Sequence, residues 1–169
     1  WEFGDPDWDY TKYFMLFGVA EDHASNPIKI GIGKLKERGA KVVSVNPVRT
    51  GYNAVADEWI GVRPGTDGLF VGAIIHELFK AQKVDLDYLV RYTNSPWLVI
   101  EDPGAADNGK FARFDDGNPM AWCKTTEAYV NAKGADCAPA LTGTFTLPDG
   151  RKARPVFELM AERFLGEDY

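Results

Sequence analysis

The chain has 169 residues, 45% of them apolar and 13% aromatic, and a formal net charge of −6. That length suits one domain burying about two-thirds of its unfolded surface, and no apolar run approaches the roughly 20 residues of a membrane span. A soluble domain without direct membrane insertion is therefore expected. The acidic balance repels nucleic acid and anionic membranes, so any anion site has to be built locally.

The run Tyr13-Phe14-Met15-Leu16-Phe17, ending at Gly18, reads as a strand buried on both faces. After a polar loop, Asn26-Pro27 has the form of a helix N-cap followed by proline at the first helical position. Ile28, Ile32 and Leu35 then recur at helical spacing until Gly39 supplies a stop. Lys34, Lys36, Arg38 and Lys41 form a basic cluster best read as the solvated face of this helix. Val42, Val43 and Val45 predict a second strand ended by Asn46-Pro47, and Trp59-Ile60-Gly61-Val62 a short third strand ended by Pro64-Gly65. From residue 67 to 82, Phe70, Val71, Ile74, Ile75 and Leu78 mark a broad apolar face, which predicts a helix packed deep against the sheet.

Strands alternating with helix-length connections argue for an α/β fold: a three-layer, Rossmann-like open parallel sheet with helices on both faces. This core is expected over residues 1–100. Residues 101–154 read as an irregular β-ribbon excursion: a Pro/Gly/Asp-rich flexible surface stretch at 102–109, then hairpin turns at Asp116-Gly117 and Pro148-Asp149-Gly150. Pro155 opens a C-terminal helix over residues 155–169 with Val156, Leu159, Met160 and Phe164 inward. The chain opens on Trp1 without an initiator Met and is read as a piece of something longer. Cys123 and Cys137 lack CxxC spacing and read as free thiols, with a disulfide as the alternative in an oxidising compartment.

Right-handed crossovers put every strand-end turn of a parallel sheet on one edge, where backbone N–H groups and helix N-termini converge on ligands. Three turns qualify. They are Phe17-Gly18-Val19-Ala20-Glu21-Asp22-His23, then Asn46-Pro47-Val48-Arg49-Thr50, then Gly65-Thr66-Asp67. Gly18 permits close backbone approach, Arg49 suits phosphate, and a carboxylate such as Asp67 or Glu21 can accept from guanine N1–H and its amine together. Plainer readings stand beside these. Thr66 and Asp67 suit a simple helix cap, Arg49 a surface ion pair, and Glu21-Asp22 a solvent-facing pair. Gly31 and Gly33 lack the third glycine of a GxGxxG fingerprint and sit inside the helix, so that match fails. His76 reads as a packed or surface histidine, and no metal-ligand or catalytic constellation is visible.

The order of these motifs resembles the molybdopterin-guanine-dinucleotide-binding domain of the dimethyl-sulfoxide-reductase family of molybdenum oxidoreductases. The resemblance runs from Tyr13 to about Trp97. Its most specific parts are Ala56-Asp57-Glu58-Trp59-Ile60 and Arg63-Pro64-Gly65-Thr66-Asp67, while the tail is similar to the polysulfide and thiosulfate reductase or sulfite-oxidising branch. The resemblance implies guanosine contacts in the turns at 17–24, 46–50 and 65–67, with Asn46 standing where many members have Asp. It implies molybdopterin guanine dinucleotide, carrying molybdenum, as cofactor. The metal ligand and any iron–sulfur cluster would lie in other parts of the parent subunit, so neither cysteine here is assigned to metal and no catalytic residue is expected. Implied partners are the remaining domains, a membrane anchor subunit and an iron–sulfur electron-transfer subunit, in the cytoplasm or, alternatively, in an exported periplasmic complex. The competing readings are a self-contained guanine-nucleotide-binding α/β domain and an interaction module with merely structural turns.

Overall fold

Strands β1 (Tyr13–Phe17) and β2 (Lys41–Val45) pair in parallel, from Tyr13 opposite Lys41 to Phe17 opposite Val45. Parallel neighbours need a crossover of about a dozen residues or more, and helix α1 (Ile28–Glu37) forms most of it. Ile28, Ile32 and Leu35 share one helical face and are buried with Leu16, Ala40, Val42 and Tyr52. The helix closes with bonds from Gly39 N–H to the Lys36 carbonyl and from Ala40 N–H to the Leu35 carbonyl, which satisfy acceptors the last turn leaves open. Strand β3 (Glu58–Ile60) lies on the other side of β2, with Val43 opposite Glu58 and Val45 opposite Ile60. The central strand is accordingly buried from Val42 to Val45.

This computed structural model describes residues 7–18, 28–49, 51–133 and 137–166; the expected cap at Asn26-Pro27 lies outside them. Contacts divide the chain into two compact units, Trp1–Val71 and Gly72–Tyr169. In the first, the basic cluster is used for ties. Lys36 Nζ reaches the Asp57 carboxylate at 2.7 Å, Lys41 pairs with Glu58 at 2.6 Å, and the Arg38 guanidinium donates to the carbonyls of Trp8, Asp9 and Thr11. Asp57 also accepts from Val42 N–H at 2.8 Å, fastening β2 to the entry of β3. Gly31 sits mid-helix because a Cβ there would stand 2.5 Å from the Trp8 ring.

Helix α2 (Asp67–Lys80) spans the division. It is not packed deep, contrary to expectation: Gly72 is its only buried residue, while Leu69, Val71 and Leu78 are exposed. Apolar spacing around most of a helix reports what it can bury, and within this chain much of that surface is uncovered.

The second unit is antiparallel. Its elements are α3 (Leu86–Tyr92), β4 (Leu98–Ile100), β5 (Met120–Cys123), β6 (Ala128–Asn131), β7 (Phe145–Thr146), β8 (Lys152–Pro155) and α4 (Val156–Gly166). Strands run in the order β4-β8-β7, with β5 and β6 as a separate hairpin, around Leu98, Ile100, Ala112, Met120, Leu147 and Ala153. Both expected hairpin turns form: Arg113 bridges Pro119 around the Asp116-Gly117 turn, and β7 pairs β8 around Pro148-Asp149-Gly150. The stretch 102–109 is tied down by bonds from Asp102 N–H to Asn108 Oδ1 and from Gly109 N–H to the Ile100 carbonyl. On α4, Met160 is exposed; instead Phe157 and Phe164 meet Phe79, at 5.7 and 6.3 Å between ring centroids. His76 is a packed histidine, its Nδ1–H donating to the Phe164 carbonyl at 2.7 Å. Arg154 joins β8 to α4 through Glu158 (3.2 Å) and Glu162. Among the described residues the class is therefore mixed α/β, with one small parallel sheet, antiparallel pairs and four helices.

These contacts make two predictions. Gly31→Ala, which in an open helix would stabilise by about 1 kcal/mol, should instead cost about 1–3 kcal/mol in urea unfolding through overlap with Trp8; a gain in stability would contradict the packing. The Asp57 carboxyl is held below the ordinary aspartate range, chiefly by its hydrogen bond from Lys36 and then by Val42 N–H. A pKa lowered in the folded state contributes stability that is full above the unfolded value and lost as pH falls through the folded one. Unfolding midpoints should therefore drop below about pH 4, and Asp57→Asn should flatten part of that drop; an unchanged acid limb would refute the assignment.

Candidate functional site

The carboxyl ends of β1, β2 and β3 are level. Gly18 N–H donates to the Val45 carbonyl at 3.0 Å, and Asn46 N–H to the Ile60 carbonyl at 3.1 Å. Each following turn therefore starts from one sheet edge. Phe17, Gly18, Asn46, Pro47, Val48 and Arg49 lie along this rim, whereas Val19, Ala20, Glu21, Asp22, His23 and Thr50 fall outside the described residues.

In the second turn the side chain of Asn46 points inward. The residue is buried, its Oδ1 accepts from Val48 N–H at 3.3 Å, and its carbonyl accepts from the Trp59 indole N–H at 3.0 Å. An Asx bond of this kind shapes a turn, so Asn46 holds the loop while Pro47, Val48 and Arg49 are exposed. The Arg49 guanidinium lies over the Trp59 ring, 5.8 Å from its centroid. That contact is worth about 0.5–1 kcal/mol at an exposed site and keeps a cation beside a half-exposed aromatic face.

The third turn is closed by Thr66 N–H donating to the Arg63 carbonyl at 3.1 Å. Pro64 fits its second position, and Gly65, at φ +84°, takes the left-handed third position of a type II turn. The Thr66 hydroxyl donates back to Arg63 at 2.8 Å, and Phe70 N–H bonds the Thr66 carbonyl at 3.0 Å, so α2 starts at once with Asp67. A helix start carries unpaired N–H groups and partial positive charge. Phe70, one turn further on, packs against Phe17 with centroids 6.0 Å apart, which draws the start of α2 to the end of β1. The rim thus gathers strand-end backbone groups, one guanidinium, one indole face, a carboxylate and a helix N-terminus.

Two contributors were not legible as site residues in the sequence. Trp59 belongs to the Ala56–Ile60 motif, and its signal is an aromatic following an Asp-Glu pair at a strand candidate. Asp57 acts beneath the rim through Val42 and Lys36, a role with no local sequence signature. Among the described residues, no group of three or more His, Cys, Asp or Glu is placed to hold a metal ion, and no helix is long and apolar enough to cross a membrane.

These groups share the carboxyl edge of a short parallel sheet, the edge at which open α/β sheets bind their ligands. No family model matches the chain. It is 45% identical to a sulfite dehydrogenase subunit of Allochromatium vinosum, over 96% of the chain and 18% of that protein. It is 28% identical to the alpha subunit of perchlorate reductase of Dechloromonas aromatica, over 96% of the chain and 21% of the relative. It is 32% identical to the molybdopterin-containing subunit of thiosulfate reductase of Salmonella typhimurium, over 50% of the chain and 11% of the relative. The chain belongs to the dimethyl-sulfoxide-reductase family of molybdopterin oxidoreductases, and it spans about a fifth or less of the length of these relatives.

Asn46→Ala should cost about 1 kcal/mol of stability and speed amide exchange at Val48 while β1 and β2 stay protected. Unchanged exchange at Val48 would show that the Asn46 side chain does not hold this turn.

Proposed function

We propose that the chain is the cofactor-gripping part of a molybdenum oxidoreductase catalytic subunit, and that its rim binds the guanosine and phosphate end of molybdopterin guanine dinucleotide. The observation that carries this reading is the level edge: Gly18 beside Val45 and Asn46 beside Ile60, with the start of α2 drawn in by Phe17 and Phe70. The donor set fits such a ligand. Backbone N–H groups and a helix start suit phosphate, Arg49 adds a fixed cation, and Asp67 can accept a paired N–H edge that guanine has and adenine lacks. The turn at 17–24 and Thr50 complete the proposed contacts, while Asn46 acts by holding its loop.

The bound group supplies the two-electron oxygen-atom or sulfur redox chemistry through its metal, and the protein's share is binding and orientation. The relatives named above support a role in a large multidomain subunit. In that subunit the three parallel strands would form part of a larger sheet with helices on both faces, and the remaining domains would cover the apolar face of α2 at Leu69, Val71 and Leu78. A membrane anchor and an iron–sulfur electron-transfer subunit are the partners proposed for the assembly. The similarity to the sulfite dehydrogenase of Allochromatium vinosum favours a sulfur oxyanion as substrate of the parent.

In the intact parent subunit, Asp67→Ala and Arg49→Ala should each lower the guanine nucleotide released on denaturation by about tenfold at limiting cofactor, the loss expected for one good charge-assisted contact, while costing the cofactor-free protein no more than about 1 kcal/mol of stability. Wild-type guanine content in both variants would overturn the assignment of the rim.

A further inference from the structure

Trp59, in β3, has a ring fixed by two contacts. Its indole N–H donates to the Asn46 carbonyl at 3.0 Å, and Asn46 is itself buried and bonded through its N–H to the Ile60 carbonyl. Gly61 lies against the far edge of the ring: a Cβ there would stand 2.9 Å from Cη2 and 3.1 Å from Cζ2. The backbone at Gly61 is outside the left-handed region, so the missing side chain accommodates the ring and not a turn. On this fixed ring rests the Arg49 guanidinium, 5.8 Å from the centroid. Lys36 and Lys41 in the same unit pair with carboxylates, whereas Arg49 is held by an aromatic face, which attracts a cation without neutralising it.

We propose that Trp59 is a positioning residue for anion binding at this rim, holding the Arg49 guanidinium ready for a phosphate and acting through Arg49 alone. The inference rests on the reading of the rim as the guanosine and phosphate site. Arg49 is exposed, and a long side chain in an exposed turn gives up rotamer freedom when it binds an anion. A guanidinium already laid on a fixed ring has less freedom to lose. The group is planar, so its face can rest on a ring while the N–H groups in its plane donate to phosphate oxygens. Binding the ligand therefore does not require the ring contact to break. Gly61 and the Asn46 carbonyl matter at one remove, because they set where the ring stands.

The test measures the guanine nucleotide released on denaturation of the intact parent subunit loaded at limiting cofactor. Trp59→Leu should lower it by about three- to fivefold, the fold-change that corresponds to one exposed cation–aromatic contact. Trp59→Phe loses the same indole N–H but keeps an aromatic face, and should lower it by less than about twofold. Arg49→Lys, which keeps the charge without the planar face, should lose about as much as Trp59→Leu. The double variant Trp59→Leu/Arg49→Ala should release as much as Arg49→Ala alone, since the ring then has nothing to position. Equal losses for Leu and Phe, wild-type release from Arg49→Lys, or a further loss in the double variant would each overturn the proposal; the last would show that Trp59 touches the ligand or supports the rim by itself. These results leave the rim assignment standing as long as Arg49→Ala releases less than wild type. Wild-type release from Arg49→Ala would remove Arg49 from the rim, and this inference with it.

Discussion

Two backbone hydrogen bonds, Gly18 to Val45 and Asn46 to Ile60, hold the ends of three parallel strands at one level. Parallel pairing forces the chain to return to the same starting edge before each new strand, so residues distant in sequence finish side by side. The buried central strand fixes the register: a one-residue slip of β2 would exchange the faces presented by Val42, Val43, Ser44 and Val45. Asp57 secures the same strand from below through Val42 N–H and Lys36. The placement of Arg49, Trp59 and the start of α2 depends on that register, and the binding chemistry proposed for the rim depends on their placement.

The two units solve the problem of polar groups differently. Around the parallel sheet, basic side chains are drawn to carbonyls and to Asp57 and Glu58, leaving Arg49 beside an aromatic ring at the open edge. In the antiparallel unit, arginines are drawn to carboxylates. Arg151 bonds Asp149 and Asp107, and Arg154 bonds Glu158 and Glu162. An acidic protein can present an anion-binding rim only if a cation and oriented N–H groups are concentrated locally, and the rim has both.

Much of the first unit was legible because its physics is local. The helical spacing of Ile28, Ile32 and Leu35 and the Pro-Gly turn before Asp67 each report a short-range preference, as does the strand at 13–17, although β1 is an edge strand in which only Leu16 is buried and not a strand covered on both faces. The misreadings came where burial depends on something distant. The apolar positions of α2 look the same whether they are covered or exposed, so Val71 and Leu78 suggested a depth that this chain does not provide. On α4, the aromatic partner Phe79 decides that Phe157 packs and Met160 does not. Asn46, expected at the ligand rim, also accepts from Val48 N–H across its own turn, the Asx bond that asparagine makes two residues on.

The most direct measurement is a density map of the intact parent subunit with its native cofactor, at a resolution that shows the base. The account predicts the guanine and its phosphates lying against the carboxyl edge of β1, β2 and β3, with the Asp67 carboxylate within hydrogen-bonding distance of the base. A guanine bound against the antiparallel unit, or one whose edge is read wholly by residues outside this chain, would contradict it.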